Sequence, residues 1–479
     1  MLDKKFGKNV LMVIVSNGVR LLSSVLMIFV VPLIFSQQDY GFYKIFLLYI
    51  SYVGILHFGF IDGIYLKYGG VNYNDLNKEK FRSYSKFMII TQFIVAVIVF
   101  FLSFLFEGDR RTIIMLVALN LIAVNLTYYY QYVSQVTERF KEFAIRNIIY
   151  TVLSIVLIGV FFFFKIKSYI LFITITVVIN YLLLFWYMIT YRSLSFGNKE
   201  DKKIIRIDIK NIFILGIPLL LSNLMIILIS NIPKQYVDIK YPVENFPSIF
   251  PNFSFAYTLL GFTGVFLSAV SLVIYPTLKK ENKDRLKENY KGLNSLVLGL
   301  VFILLVAFYP VSWIVLRFLS DYKSALDIFY ILAPGIAMTS AITVVGHNYY
   351  KTYNKNIKFL FIGVITIGLL LISLFLINFV WDGNILYVAI ATVLVQFIWY
   401  LMVEIGLKKE VGKISFKNLI FSLVASTLFY TVRSIDNLFY GAVIYIVLII
   451  LIVSIFFYKD IRMIIKKFRK SKLNSSVDV

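Results

Sequence analysis

Fourteen stretches of roughly 20 mostly apolar residues recur along the 479-residue chain, each long enough to cross the ~30 Å hydrocarbon core of a bilayer as a helix. They fall at about 10–34, 42–66, 85–106, 112–136, 147–164 and 168–191, then at 211–231, 250–275, 293–316, 325–350, 358–380, 385–406, 416–433 and 438–458. No soluble fold accommodates that pattern. Apolar residues make up 60% of the chain and charged ones 15%, against about 45–50% and 25% in soluble domains. The polar surface needed to cover a water-soluble core of this size is missing, so lipid must be the solvent for most of the chain. The expected fold is an all-α integral membrane protein of about 14 transmembrane helices, with two pseudo-symmetric six-helix lobes and two C-terminal helices.

The formal charge of +23 suits either nucleic acid or a membrane protein with basic inner loops, and the distribution of charge decides between them. With the N-terminus inside, segments on one side hold 37 of the 48 Lys and Arg residues and segments on the other hold 9, while Arg20 and Lys44 fall within spans. A missed helix would scramble that alternation. The sequence therefore predicts an even number of spans, both termini cytoplasmic and no nucleic-acid partner. The first apolar run is too long for a secretory h-region and lacks a small-residue cleavage site, so it reads as a retained signal anchor. Residues 1–191 form the expected N-terminal lobe, 192–210 a basic cytoplasmic linker and 211–406 the C-terminal lobe. Residues 407–458 hold the appended spans, and 459–479 form a basic cytoplasmic tail.

The chain has no cysteine and two histidines, which removes disulfides, thiolate chemistry and most metal centres. It has no GxxxxGK[ST] loop for holding a nucleotide and no HExxH or GxSxG motif. The longest expected outer loop, about Ile232 to Ile249, is too short for a catalytic domain. The expectation is a transporter rather than an enzyme, with no cofactor.

Ionisable groups inside a bilayer cost about 2.5–3.5 kcal/mol each at a helix centre, and normally face a bundle interior or a water-filled cavity. Arg20 lies near the middle of the first span, on a face with Ser16, Ser23 and Ser24 at 100° per residue. It either lines a path, pairs with a carboxylate between helices or snorkels to an interface. Lys44 and Asp62 are five helical turns apart and would share one face of the second span, with His57 off that face. They are either pathway residues or interfacial anchors, and His57 suits a packing role as well as a proton relay. The fourth span aligns Asn120, Thr127, Gln131, Gln135 and Glu138, an arrangement equally explained by interhelical hydrogen bonds. The seventh places Asn223, Ser230 and Lys234 on one face, with Pro218 positioned to kink it. The eighth carries Ser254, Tyr257, Gly261 and Gly264 at intervals of three or four residues, which suits close packing or room for a bulky passenger. Gln396 and Glu404 lie on the twelfth, where Glu404 reads as a solvated end or a coupling carboxylate. Several cations and few carboxylates in the spans suit a phosphate-bearing amphiphile.

The segment from Ser16 to Gly70 resembles the opening of Wzx-type polysaccharide flippases, of the polysaccharide-transporter branch of the multidrug/oligosaccharidyl-lipid/polysaccharide exporter superfamily. Its markers are Asp39-Tyr40-Gly41 and the run Phe58-Gly59-Phe60-Ile61-Asp62-Gly63-Ile64. A second match opens the other lobe at Gly216-Ile217-Pro218-Leu219-Leu220-Leu221-Ser222-Asn223, followed by Phe253-Ser254-Phe255-Ala256-Tyr257 and Tyr275-Pro276. The resemblance implies two six-helix lobes around a V-shaped cavity. It implies alternating-access translocation of undecaprenyl-diphosphate-linked oligosaccharide repeat units across the bacterial plasma membrane, for O-antigen or capsule synthesis. Arg20 carries over as the leading candidate for receiving the diphosphate, Lys44 and Lys234 as weaker ones, with Ser24, Asn223 and Tyr257 lining the path. Asp62, His57, Glu138 and Glu404 are candidates for gating or for coupling to a proton or sodium gradient. Implied partners are membrane lipids, a polysaccharide polymerase and a chain-length regulator. The loop from Asn231 to Phe250 departs from the family in being long and proline-rich, which bears on Lys234. The rival readings are a cation-coupled multidrug exporter of the same superfamily and an intramembrane glycan polymerase or transferase.

Overall fold

The computed structural model describes residues 18, 21–261, 278, 281–412 and 416–477, with side chains described through residue 458 apart from 140. Every regular element among them is helical. Ten helices are long and apolar enough to cross a membrane, or eleven if the bent pair Gln37–His57 and Phe60–Tyr68 is one span. Shorter apolar helices, Leu21–Ile34 and Phe416–Val432, stand where the first and thirteenth spans are expected. Most of the expected eighth span lies outside the described residues, so the described part of the chain does not reach the expected count of fourteen.

The chain divides into two compact units, residues 2–251 and 252–479. The first contains α1 (Leu21–Ile34), α2 (Gln37–Val53), α3 (Phe60–Tyr68), α4 (Lys78–Leu102) and α5 (Gly108–Val136). It continues with α6 (Phe140–Phe163), α7 (Tyr169–Thr190) and α8 (Lys202–Lys240). Polar caps mark where the apolar runs start. Ser36 accepts from the Asp39 amide at 3.1 Å, Asn77 from Lys80 at 3.1 Å and Asp201 from Lys203 at 2.7 Å, each satisfying a first-turn N–H that the helix leaves free. Outward faces are apolar, as at Phe93, Phe101 and Ile189, which is stable only against lipid.

The 39-residue α8 is longer than the sequence indicates. The predicted proline-rich loop from Ile232 is helical through Lys240, and Pro218 and Pro233 both lie inside the helix. Proline removes one backbone bond each time, and packing against the other helices of the first unit holds the helix on. Near its start, Asp208 pairs with Lys67 and accepts from the Tyr84 hydroxyl, with Lys80 at 3.7 Å. Near its end, Arg110 grips buried Asp238 through two bonds of 2.8 and 3.0 Å and reaches Glu244 at 2.8 Å. The helix is thus fastened at both ends by charge-assisted bonds.

The second unit contains α9 (Lys283–Leu304), α10 (Phe308–Phe318), α11 (Lys323–Ser340), α12 (His347–Thr352), α13 (Asn356–Val380), α14 (Ile385–Val411), α15 (Phe416–Val432) and α16 (Leu438–Val477). A π-helical turn, Ala341–Gly346, joins α11 to α12. Glu404 is fully buried here rather than solvated: its Oε1 accepts from the Tyr290 hydroxyl at 2.5 Å and the Asn294 amide at 2.7 Å. Asn294 also bonds the Tyr400 hydroxyl at 2.9 Å, so this carboxylate is the centre of a polar knot linking α9 and α14.

Candidate functional site: a cavity at a broken helix

The second predicted span is not one helix. After α2 the backbone makes a 3₁₀ turn, Gly54–His57, then passes through two left-handed residues, Phe58 (φ 54°) and Gly59 (φ 86°), before α3 begins. The two halves meet at 57°. A break within the membrane frees backbone carbonyls where no water satisfies them, and here side chains from α4 and α5 do so. Asn125 Nδ2 donates to the Val53 carbonyl at 3.1 Å and to Gln92 Oε1 at 2.6 Å, while Gln92 Nε2 donates to the Leu56 carbonyl at 3.1 Å. Both side chains are buried. Neither was singled out from sequence, where each is a lone polar residue in an apolar helix.

The break overturns the expectation that Lys44 and Asp62 share one continuous helical face. Asp62 lies in the first turn of α3, where a helix N-terminus favours negative charge. The Gly59 amide donates to His57 Nδ1 at 3.1 Å, so a neutral imidazole carries its proton on Nε2. That nitrogen lies 3.7 Å from Asp62 Oδ2.

Small residues bring α8 against the break. A Cβ on Gly216 would lie 2.5 Å from the Gly63 amide nitrogen and 2.9 Å from the Gly59 carbonyl carbon. One on Gly63 would lie 2.8 Å from the carbonyl carbon of Ile212. The two glycine-bearing motifs singled out in the sequence, more than 150 residues apart, are therefore backbone-to-backbone partners, as small residues permit at membrane helix crossings.

Beside this crossing is a cavity of about 230 Å³, bounded by the break, α3, α5 and α8. Its polar lining is His57, Asp62, Tyr128, Gln131, Tyr132 and Asn223, with Leu220, Leu224 and Ile227 on the apolar side. The structure thus unites the predicted His57, Asp62 and Asn223 and adds Gln131 from the stripe on the fourth span. The rest of that stripe divides. Asn120 accepts from Asn180 at 2.9 Å, an interhelical packing bond. Glu138 lies beyond the end of α5, exposed and with φ 56°, so it is not part of the cavity.

Beyond the cavity, α2 and α8 form a polar seam. Asn231 donates to Ser51 at 2.7 Å, and Tyr52 donates to Gln235 at 3.4 Å. Lys44 is buried, its ammonium 4.9 Å from the centre of the Tyr40 ring, and it feels the charge of Lys234 across the seam. The two lysines named separately in the sequence thus stand on the two helices of this seam. Ser24 is half-buried on α1, and Arg20 lies outside the described residues. Tyr257 belongs to the second unit, where it is half-buried. Among the described residues no three His, Asp or Glu side chains gather as metal ligands.

No protein-family model matches the chain. It is 28% identical to the capsular polysaccharide biosynthesis protein CapF of Staphylococcus aureus over 286 residues, 56% of this chain and 68% of that one. Among solved structures, it is similar to the lipid II flippase MurJ in an inward closed conformation, with a TM-score of 0.63 and 13% identity over 94% of this chain and 98% of that one. It is also similar to an inward-facing multidrug-resistance MATE transporter of the MOP superfamily, with a TM-score of 0.57 and 14% identity over 88% of this chain and 96% of that one. The chain is a multi-pass membrane protein with the fold of MOP-superfamily transporters and flippases.

Proposed function

We propose that this chain is a Wzx-type flippase, moving undecaprenyl-diphosphate-linked oligosaccharide repeat units from the cytoplasmic to the outer leaflet of a bacterial plasma membrane by alternating access. The carrying observation is the sequence relationship to a capsular polysaccharide biosynthesis protein in a chain with the fold of MurJ. The buried Lys44 and half-buried Lys234 on one seam support an anionic lipid headgroup, because cations held in low dielectric bind diphosphate strongly. Arg20, from the sequence, is the third cation of this set. Both termini are assigned to the cytoplasm on the alternation of basic residues. A polymerase and a chain-length regulator receive the product, and a proton or sodium gradient or product consumption drives the cycle.

The test is the sidedness of lipid-linked oligosaccharide in cells lacking the protein, complemented with wild type or Arg20→Ala at matched membrane abundance. Intact units accumulate on the cytoplasmic leaflet, and only wild type relieves this. Units that reach the outer face unpolymerised in the deletion strain would move the assignment to a polymerase. One observation favours a second reading: Asp62 gives the cavity a carboxylate, which suits the cationic drugs of an exporter. Export of a lipophilic cation that depends on Asp62, without lipid-linked oligosaccharide transport, would establish that alternative.

A further inference from the structure

Between the ion pairs that fasten the two ends of α8, its cavity-side face changes in polar character along its length. Leu220, Asn223, Leu224 and Ile227 face the cavity, and the same helical face continues through Asn231 to Lys234, since 11 residues return to within about 20° of the starting direction. The rise over that interval is about 16 Å. One end holds the lysine pair. The other holds a carboxylate, an imidazole, two amides and two tyrosines, with no lysine or arginine in its lining.

A diphosphate is excluded from the second locus by Asp62. A metal ion is unsuited to it, since one carboxylate and one histidine provide too few ligands. We infer that the cavity formed by His57, Asp62, Gln131, Tyr128, Tyr132 and Asn223 is a saccharide-binding subsite for one neutral sugar ring of the lipid-linked substrate. This deepens the flippase reading and rests on it.

The chemistry is that of a polyhydroxylated ring. A carboxylate accepts strongly from sugar hydroxyls. The side-chain amides of Gln131 and Asn223 donate and accept at once, which matches groups that do the same. The proton on His57 Nε2, fixed there by the Gly59 amide at Nδ1, supplies a directed donor beside the Asp62 acceptor. Tyrosine faces offer apolar surface with a polar edge, as the C–H face of a pyranose requires. A volume of about 230 Å³ is several waters' worth at about 30 Å³ each, enough for one ring and not for a whole repeat unit. A chain of a few rings covers the distance along α8 from there to the lysine pair. The sugar subsite and the diphosphate locus therefore act as two ends of a ruler, reading one sugar at a fixed distance from the lipid.

The experiment measures binding of two probes to the full-length protein in lipid nanodiscs by native mass spectrometry. One probe is undecaprenyl diphosphate, and the other is the same lipid extended by a short oligosaccharide of N-acetylhexosamine residues. Wild type binds the glycosylated probe about tenfold more tightly, the weight of one or two net hydrogen bonds. Asn223→Leu and Gln131→Leu, on separate helices so that a folding failure of one leaves the other, abolish that increment and keep wild-type affinity for the bare lipid. Equal affinity of wild type for both probes, or an increment that survives both substitutions, overturns the subsite and leaves the flippase standing. Binding of neither probe to wild type overturns the flippase reading itself.

Discussion

Gly216→Ala tests whether the contact between α3 and α8 is as close as the backbone requires. The added methyl would lie 2.5 Å from the Gly63 nitrogen and 2.9 Å from the Gly59 carbonyl carbon. The Gly59 carbonyl oxygen is closer still, and ordinary contact begins at 3.4 Å, so the helices must part by more than about 1 Å, a gap that forfeits at least a quarter to a half of the dispersion attraction across the contact. Backbone atoms cannot swing aside as a side-chain tip does. The expected cost is about 1–3 kcal/mol of overpacking, set against a gain of about 0.5–1 kcal/mol from replacing a helical glycine. Gly368→Ala is the matched control: a Cβ there meets nothing within 4 Å, so it is neutral or stabilising. Gly335→Ala provides an intermediate case, because its Cβ would meet the movable end of Gln396. Denaturant unfolding of the purified protein in detergent should rank the variants Gly216→Ala, Gly335→Ala, Gly368→Ala from least to most stable. A Gly216→Ala protein as stable as Gly368→Ala would refute the close crossing.

Three further outcomes follow from the side-chain networks. Asn125→Leu or Gln92→Leu strands the Val53 or Leu56 carbonyl at about 1–3 kcal/mol each, and a double-mutant cycle in detergent should show coupling of about 0.5–3 kcal/mol; strict additivity would deny the shared bond. Arg110→Ala leaves Asp238, which is 2% exposed, without its bidentate partner, costing about 3–5 kcal/mol, and Asp238→Asn added to it should restore much of the loss in a thermal melt. No rescue would mean that the ion pair is incidental to α8 anchoring. Glu404→Gln keeps an acceptor for the Tyr290 hydroxyl and should unfold near wild type, whereas Glu404→Leu should lose about 1–3 kcal/mol; equal stability would sink the buried-knot account.

What was legible in the sequence follows the range over which each signal acts. Helix starts at Ser36, Asn77 and Asp201 are local capping chemistry, which apolar runs alone do not show, so the spans read from sequence begin several residues late, at about 42, 85 and 211. The motifs around Gly59 and Gly216 stand out as glycines in apolar helices, but their mutual contact is a tertiary fact. Helical periodicity carried straight through Gly54–Gly59 and placed Lys44 and Asp62 on one line, because a glycine inside an apolar run is compatible with a helix until Phe58 is seen at φ 54°. Gln92 and Asn125 were invisible for the opposite reason: each is a single polar residue, and only their meeting over the freed carbonyls gives them a role. The end of α8 was misread because Pro233 and the prolines that follow it outweighed the ion pairs and packing that hold the helix to Lys240. Glu404 was read as a solvated end or a coupling carboxylate, since its depth depends on Tyr290 and Asn294, more than 100 residues away.

The central claim is translocation of a lipid-linked oligosaccharide, and its most direct test uses purified protein in liposomes loaded on one leaflet with an undecaprenyl-diphosphate-linked oligosaccharide. Sugar exposed on the opposite leaflet is read by a membrane-impermeant lectin over time. Wild type should increase the lectin-accessible fraction well above empty liposomes, and Arg20→Ala, Lys44→Ala and Asn223→Leu should slow it. Liposomes in which wild type leaves the sugar on its starting leaflet, while expelling a lipophilic cation, would contradict the account and identify a drug exporter instead.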